Sequence, residues 1–233
     1  MKKQIRLFLL LHVILVSRFY AQTPEGEVFL KQMHEALYKG PCACYTFSQK
    51  NSHYQNDSLI RTSEWHEAIE FPDKFKIAFN GKNGDNFVLF RNDSLYRFKQ
   101  NRCVLSKRDS SILLLILGGM YYRDFKDVLT RLNKNKFNTS VLSHQSWKSQ
   151  AVVVIGARVG ETEANQIWID EKTYKVLRII EKLSDQDIMD MRFEAHDPWC
   201  KGFVETKVSF RRNGKLEQVE EYYDIKECKT FPQ

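Results

Sequence analysis

The feature that most restricts this fold is a period of two. In the stretch "FPDKFKIAFNGKNGDNFVLFRNDSLYRFKQNRC", Phe75, Ile77 and Phe79 fall on one face, with Lys74 and Lys76 on the other. That alternation describes a strand with one dry side and one wet side. Turn signals at Asn80-Gly81, Asn83-Gly84 and Asn92-Asp93 cut the stretch into a meander. A strand pair precedes it, "CACYTFSQKNSHY" and "DSLIRTSEWHEAIEF", broken around Asn56-Asp57. Strands resume near Phe137 and continue to Cys228, and no proline interrupts the chain between Pro72 and Pro198. Short hairpin turns in succession favour one curled sheet over a sandwich, which needs long crossing connections.

Two segments break the period. Residues 25–38, "EGEVFLKQMHEALY", carry Val28, Phe29, Met33, Ala36 and Leu37 at helical spacing, and "KGP" stops the pattern. Residues 110–135 open with an apolar run at 112–117, break at Gly118-Gly119, and resume as a helix with Phe125, Val128, Leu129 and Leu132 in register. The expected architecture is mainly β: an unclosed, strongly curved antiparallel β-barrel of about eleven strands, with an N-terminal helix and a helical lid insert. The dry face needs a cover, and the helices are the only candidates. A lid that fills the interior incompletely leaves a cavity for an acyl chain. Its expected walls are Phe75, Ile77, Phe79, Phe87 and Leu89 from the sheet, and Leu113, Ile116, Leu117 and Met120 from the lid. Gly118-Gly119 reads either as a flexible joint for that lid or as the end of a helix packed in an ordinary core.

Residues 1–21 read as a secretory signal peptide: Lys2, Lys3 and Arg6, an apolar run at 7–16, then "SRFYAQ". A single domain over 22–233 and a periplasmic location follow as expectations. The net charge is 36 − 29 = +7; removing Lys2, Lys3, Arg6 and Arg18 with no acids leaves 32 − 29 = +3. That excess is spread along the chain, so nucleic-acid binding is not expected. Five cysteines follow the leader: Cys42, Cys44, Cys103, Cys200 and Cys228. Cys42 and Cys44 point to one strand face and should not bond to each other. Cys200 and Cys228 flank the hairpin at Asn213-Gly214 and form a candidate disulfide if a bulge corrects their register by one residue. No histidine stands at ligand spacing from these thiols, so no metal site or cofactor is expected.

The segments "FPDKFKIAF", "RNDSLYRF" and "VVIGARVGETEANQIWIDEKTYKVLRI", in the order helix, strands, helical insert, strands, resemble the periplasmic outer-membrane lipoprotein carriers (LolA-like) and the lipoprotein-sorting proteins related to them. The resemblance covers nearly all of the mature chain. It implies a half-barrel with a helical lid over a hydrophobic cavity for lipoprotein acyl chains or related lipid. It also implies a monomer that meets inner- and outer-membrane partners transiently. Ser94 departs from the glycine found in many relatives, and Arg61 and Arg91 are candidates for the arginine that holds such a lid shut. Alternatives on the same scaffold are a lipoprotein sensor or an envelope assembly module.

Within "QIWIDEKTYKV", Trp168 falls across from Lys175 and Ile169 across from Tyr174 if Asp170 and Thr173 flank the turn. With Ile167, Ile169 and Val176 facing inward, Trp168 becomes an outer brace over the Lys175 stem. Signals for catalysis are sparse. Asp185, Asp187 and Asp190 lack the glycine and closing glutamate of a calcium loop. His196 and Asp197, with Cys200 nearby, lack a nucleophile elbow. Glu64 and His66 share a strand face. An envelope hydrolase is therefore the third reading, and the expectation is a protein that is not an enzyme.

Overall fold

The computed structural model describes residues 24–40, 42–79, 81–82, 84–109 and 111–232. The expected leader, residues 1–21, lies outside the described residues. Helix α1 (Glu25–Leu37) comes first, then strands β1 (Cys44–Gln55), β2 (Ser58–Glu70), β3 (Lys74–Ala78), β4 (Phe87–Arg91), β5 (Ser94–Lys99) and β6 (Arg102–Arg108). The insert follows as α2 (Ile112–Ile116), a 3-10 turn (Gly119–Tyr122) and α3 (Phe125–Lys134). Strands β7 (Leu142–Trp147), β8 (Gln150–Ile155), β9 (Gln166–Asp170), β10 (Val176–Ser184), β11 (Asp187–Trp199), β12 (Gly202–Arg212) and β13 (Lys215–Glu227) complete the chain.

All thirteen strands form one antiparallel sheet, in the order β6-β5-β4-β3-β2-β1-β13-β12-β11-β10-β9-β8-β7. It is unclosed, as expected, with thirteen strands rather than about eleven. One turn hidden in the sequence is Gln100-Asn101, which separates β5 from β6 with both residues at positive φ (49° and 58°) and no glycine. The first strand lies mid-sheet beside the last, and the edges are β6 and β7. The insert joins those two edges, so it must cross a face of the sheet. That topology makes it a cover.

The helices converge on one face. Leu30 and Met33 of α1, Ile112, Leu115 and Ile116 of α2, and Val128 and Leu132 of α3 pack with Val153, Ile155, Ile167, Ile169, Ile179, Met191, Phe193 and Val208 in the main core. The α1 stripe is centred on Leu30, Met33 and His34, whereas Val28, expected on it, is 41% exposed. A separate cluster of Val152, Val154, Ala157, Trp168 and Leu177 occupies the opposite face.

Gly118-Gly119 is a packing notch. A Cβ on Gly118 would meet the Phe71 ring at 2.1 Å, and one on Gly119 would meet the Pro72 carbonyl oxygen at 2.9 Å. The β2–β3 turn seats against glycine because no side chain fits between. The insert is also tied down by charge. Arg131 reaches Asp93 in the β4–β5 turn at 2.7 Å, and Arg123 lies 4.0 Å from Asp73 in the β2–β3 turn. These arginines are on the insert, with acids on the sheet turns, the reverse of what Arg61 and Arg91 would have supplied; both of those are exposed.

The cysteine expectation is corrected. Cys44 bonds Cys228, and Cys42 bonds Cys200. Arg212 does pair with Lys215 across Asn213-Gly214. Cys200, however, sits in the preceding hairpin turn, where Trp199 pairs with Gly202. Cys228 instead runs beside β1, its amide donating to the Cys44 carbonyl at 3.0 Å. Cys103 is free and exposed.

Trp168 lies on the outer face, but its partner differs from the expected one. A register shift between Val176 and Arg178 sets Ile169 opposite Val176 and Trp168 opposite Arg178. The Arg178 guanidinium lies 5.1 Å from the Trp168 ring centre and 4.6 Å from that of Trp147. Asp170 caps the turn by accepting from the backbone amides of Lys172 and Thr173.

Candidate functional site

A cavity of about 270 Å³ lies on the helix-covered face. Its walls come from β1, β2, β3, β4, β11, β12 and β13, seven neighbours in the sheet. Laid flat at about 4.8 Å per strand, seven strands would span close to 30 Å. One small cavity touches them all only because the sheet curls round it.

The ladder explains which side chains face in. Tyr45, Phe47 and Gln49 alternate along β1; their partners on β2 are Ile69, Glu67 and Trp65. Those pair in turn with Phe75 and Ile77 of β3, and Phe75 pairs with Phe90 of β4. Val204, Glu205, Val208, Phe210, Glu220 and Tyr222 supply the far wall, and Leu113, Leu114 and Leu117 the roof. Spacing along α2 divides the insert: Ile112, Leu115 and Ile116 enter the core, while the leucines between them and at the cap look into the cavity.

Of the nine residues expected to line a cavity, Phe75, Ile77, Leu113 and Leu117 do so. Phe79 is on the same face, edge-on to Trp65 with centroids 5.2 Å apart, but lies outside the lining. Ile116 and Met120 are in the main core, each 2% exposed. Phe87 and Leu89 are corrected. Phe87 pairs with Ala78 and Leu89 with Lys76, which places them on the outer face, and Val88 and Phe90 take the inner one. Lys76 was expected on a wet face, yet it is 7% exposed, its ammonium 4.7 Å from the Phe87 ring centre.

Sequence reasoning missed three buried carboxyls in the cavity wall: Glu67, Glu205 and Glu220. The signal for Glu67 was present, since Trp65, Glu67 and Ile69 share the dry face of β2. Burial raises all three. Glu205 and Glu220 are pushed up to about 7, and Glu67 well above the ordinary carboxylate range with the Glu220 charge adding to the effect. Glu220 has company: the Tyr222 hydroxyl donates to it, and Gln218 Nε2 donates to its Oε1 at 2.6 Å. Asn51, fully buried at the end of this network, accepts from Gln218 at 2.8 Å and leaves its Nδ2 without a partner.

The candidate catalytic groups lie elsewhere or are engaged. Cys200 is in a disulfide, and His196 Nε2 is 3.1 Å from the Val176 carbonyl. Asp187 pairs with Arg212, Asp190 with Arg178 and Arg192. His66 stands 3.0 Å from Ser48 Oγ and 3.8 Å from Glu64, mid-strand on the outer face. Ser48 itself sits in mid-ladder, paired with His66 on one side and Tyr223 on the other. Among the described residues no group of three or more His, Cys, Asp or Glu side chains could hold a metal ion. A wider hollow of about 860 Å³ is walled by exposed charges such as Arg158, Glu163 and Asp185, and offers an apolar tail no enclosure.

No family model and no curated protein matches the chain. Solved structures do. A DUF1329 family protein from Desulfovibrio piger is similar at TM-score 0.58 and 12% identity, over 89% of this chain and 93% of that one. A LolA superfamily protein from Nitrosomonas europaea is similar at TM-score 0.55 and 10% identity, over 86% and 94%. A domain provisionally assigned to outer membrane lipoprotein sorting, from Vibrio parahaemolyticus, gives TM-score 0.56 and 10% identity, over 89% and 94%. The fold is LolA-like: mainly β, one large unclosed antiparallel sheet with few helices. At these identities the likeness is one of fold.

Proposed function

We propose that this protein is a periplasmic carrier that holds lipoprotein acyl chains, or a related lipid, beneath α2 and passes them towards the outer membrane. The observation that carries this reading is the cavity itself, enclosed by aromatic and aliphatic side chains under a leucine roof. Each methylene moved from water into such a space contributes roughly 0.8 kcal/mol, so part of one chain suffices for binding. No covalent chemistry is needed. The two disulfides suit an oxidising compartment, and the expected leader would deliver the chain there as a monomer. Similarity of fold to a lipoprotein-sorting domain supports the cargo class.

Native mass spectrometry of protein purified from envelope extracts should show co-purifying lipid or lipopeptide. The neutral dye Nile red should enter the empty cavity, and Leu117→Asp should weaken its uptake with the far-ultraviolet strand signature intact. Bare protein that also takes up no dye overturns the proposal. A second reading, an interaction module, is favoured by edge strand β6, where Val104 and Leu105 are 53% and 42% exposed. Recovery of one fixed protein partner irrespective of delipidation would select it.

A further inference from the structure

The cavity is greasy, and its acid–base balance is one-sided. Among the described residues no lysine, arginine or histidine lines it, whereas three carboxyls do, beside the neutral polar groups of Gln49, Ser111, Tyr45 and Tyr222. Glu67 is the sharpest case. It is 6% exposed, burial and then the Glu220 charge push its carboxyl well above the ordinary carboxylate range, and no hydrogen bond reaches that carboxyl from any described residue. A buried carboxyl without donors is unfavourable unless it stays protonated or meets a cation.

The surroundings suit a cation. Phe47 and Ile77 are the ladder partners of Glu67, and Trp65 is its neighbour on the same face. The Tyr222 hydroxyl donates to Glu220, and the Tyr222 ring lies 5.3 Å from that of Phe47, the ladder partner of Glu67, so Glu220 and Glu67 flank one aromatic patch of the apolar space. Aromatic faces beside carboxylates attract ammonium groups through the ring quadrupole as well as by direct pairing. A fatty-acid carboxylate in the same place would find no cation among the described lining residues and would be repelled by each ionised carboxylate.

Resting on the carrier reading, we propose that the cavity selects amphiphiles bearing a protonated amine, the ammonium seated at Glu67 and Glu220 and the tail under Leu113, Leu114 and Leu117, and that it rejects anionic single-chain lipids. The shared chemistry is an ammonium group on hydrocarbon, whether from an amine-bearing lipid headgroup or a free long-chain amine.

The test is displacement of Nile red from the full mature protein at pH 8 by decylamine, decanol and decanoate, each below its micellar threshold. Decylamine should displace the dye at a concentration about tenfold or more below that of decanol, with decanoate weakest, as a charge-assisted contact requires. Glu67→Gln should bring decylamine to the level of decanol measured on the same variant, with Nile red uptake showing that the variant is folded; Glu220→Gln should do the same in part. Phosphatidylethanolamine against its N-acetylated form, offered in mixed micelles, then separates the two sources. Decanol displacement with no amine preference, or a preference that survives Glu67→Gln, overturns the selectivity and leaves the carrier reading standing. Failure of all three probes and of the dye itself removes the carrier reading, and this inference with it.

Discussion

Two parts of one sheet solve the covering problem differently. Under α1 and α3, thirteen and ten residues long, strands β8 to β10 present Val153, Ile155, Ile169 and Ile179, all 0% exposed. Across β1 to β4 the cover is mainly α2, five residues, and Trp65, Ile69, Phe75, Ile77 and Phe90 stay half-buried on the same face. The aliphatic part is filled by branched side chains that interlock with long helices. In the aromatic part, rigid rings meet a cover too short to reach between them. A cavity here is a mismatch between cover and wall, and the sequence encodes it as a change from Val and Ile to Phe, Tyr and Trp.

Truncation on each side should break that contrast most sharply. Ile169→Ala removes packed atoms from a site with no slack and should cost about 3–4 kcal/mol in urea denaturation. Phe75→Ala, at a wall already facing space, should cost about 1–2 kcal/mol. Equal losses would mean that the aromatic wall is ordinary core and that the space beside it closes in solution.

Much of this plan was legible from residue order. The alternation of Phe75, Ile77 and Phe79, and the Asn92-Asp93 turn with φ of 51° and 54°, identified strands and hairpins correctly because both are local signals. Phe87 and Leu89 failed because the facing of β4 depends on how many residues the preceding turn consumes, and one residue inverts every side chain. Cysteine pairing failed for a related reason. Cys44 and Cys228 are 184 residues apart and meet through the β1–β13 ladder, which no local pattern announces. Glu205 and Glu220 carry no local mark of burial and come inside through pairing with His196 and Asn51, and the tether from Arg131 to Asp93 likewise joins distant segments.

The carboxyls offer a second way to sharpen the comparison. Glu205 and Glu220 are pushed up to about 7 from 4.5, so the folded protein holds protons that the unfolded chain releases. Their contribution is fully present below about pH 4.5 and is lost as pH rises through 7. Asp93 and Asp190 act oppositely, since their folded values are lowered and their contribution disappears only as pH falls through the acid range. Unfolding free energy should therefore decline from about pH 4.5 to pH 7, by roughly 2 kcal/mol for each of Glu205 and Glu220 once water in the cavity is allowed for. Glu220→Gln should flatten the slope by one share. An unchanged slope would show that water or ion access keeps these groups near their ordinary behaviour.

The smallest effect is expected where a buried carboxylate is fully served. Asp190 is 7% exposed, as sequestered as Glu67, yet Arg178 reaches it at 2.7 and 2.9 Å and Arg192 at 3.0 and 2.8 Å. Those guanidinium groups hold its carboxyl below the usual range despite burial, while Glu67 with no such partner is driven above it. Arg178→Ala removes one of two partners and the packing over Trp147 and Trp168, leaving Asp190 paired with Arg192. The loss should be about 1 kcal/mol by thermal or urea unfolding, accompanied by a change in tryptophan emission. A loss of 3 kcal/mol or more would mean that Arg192 cannot serve Asp190 alone. The outer carboxylate would then depend on a single partner, and the contrast with the unserved Glu67 would rest on one side chain instead of two.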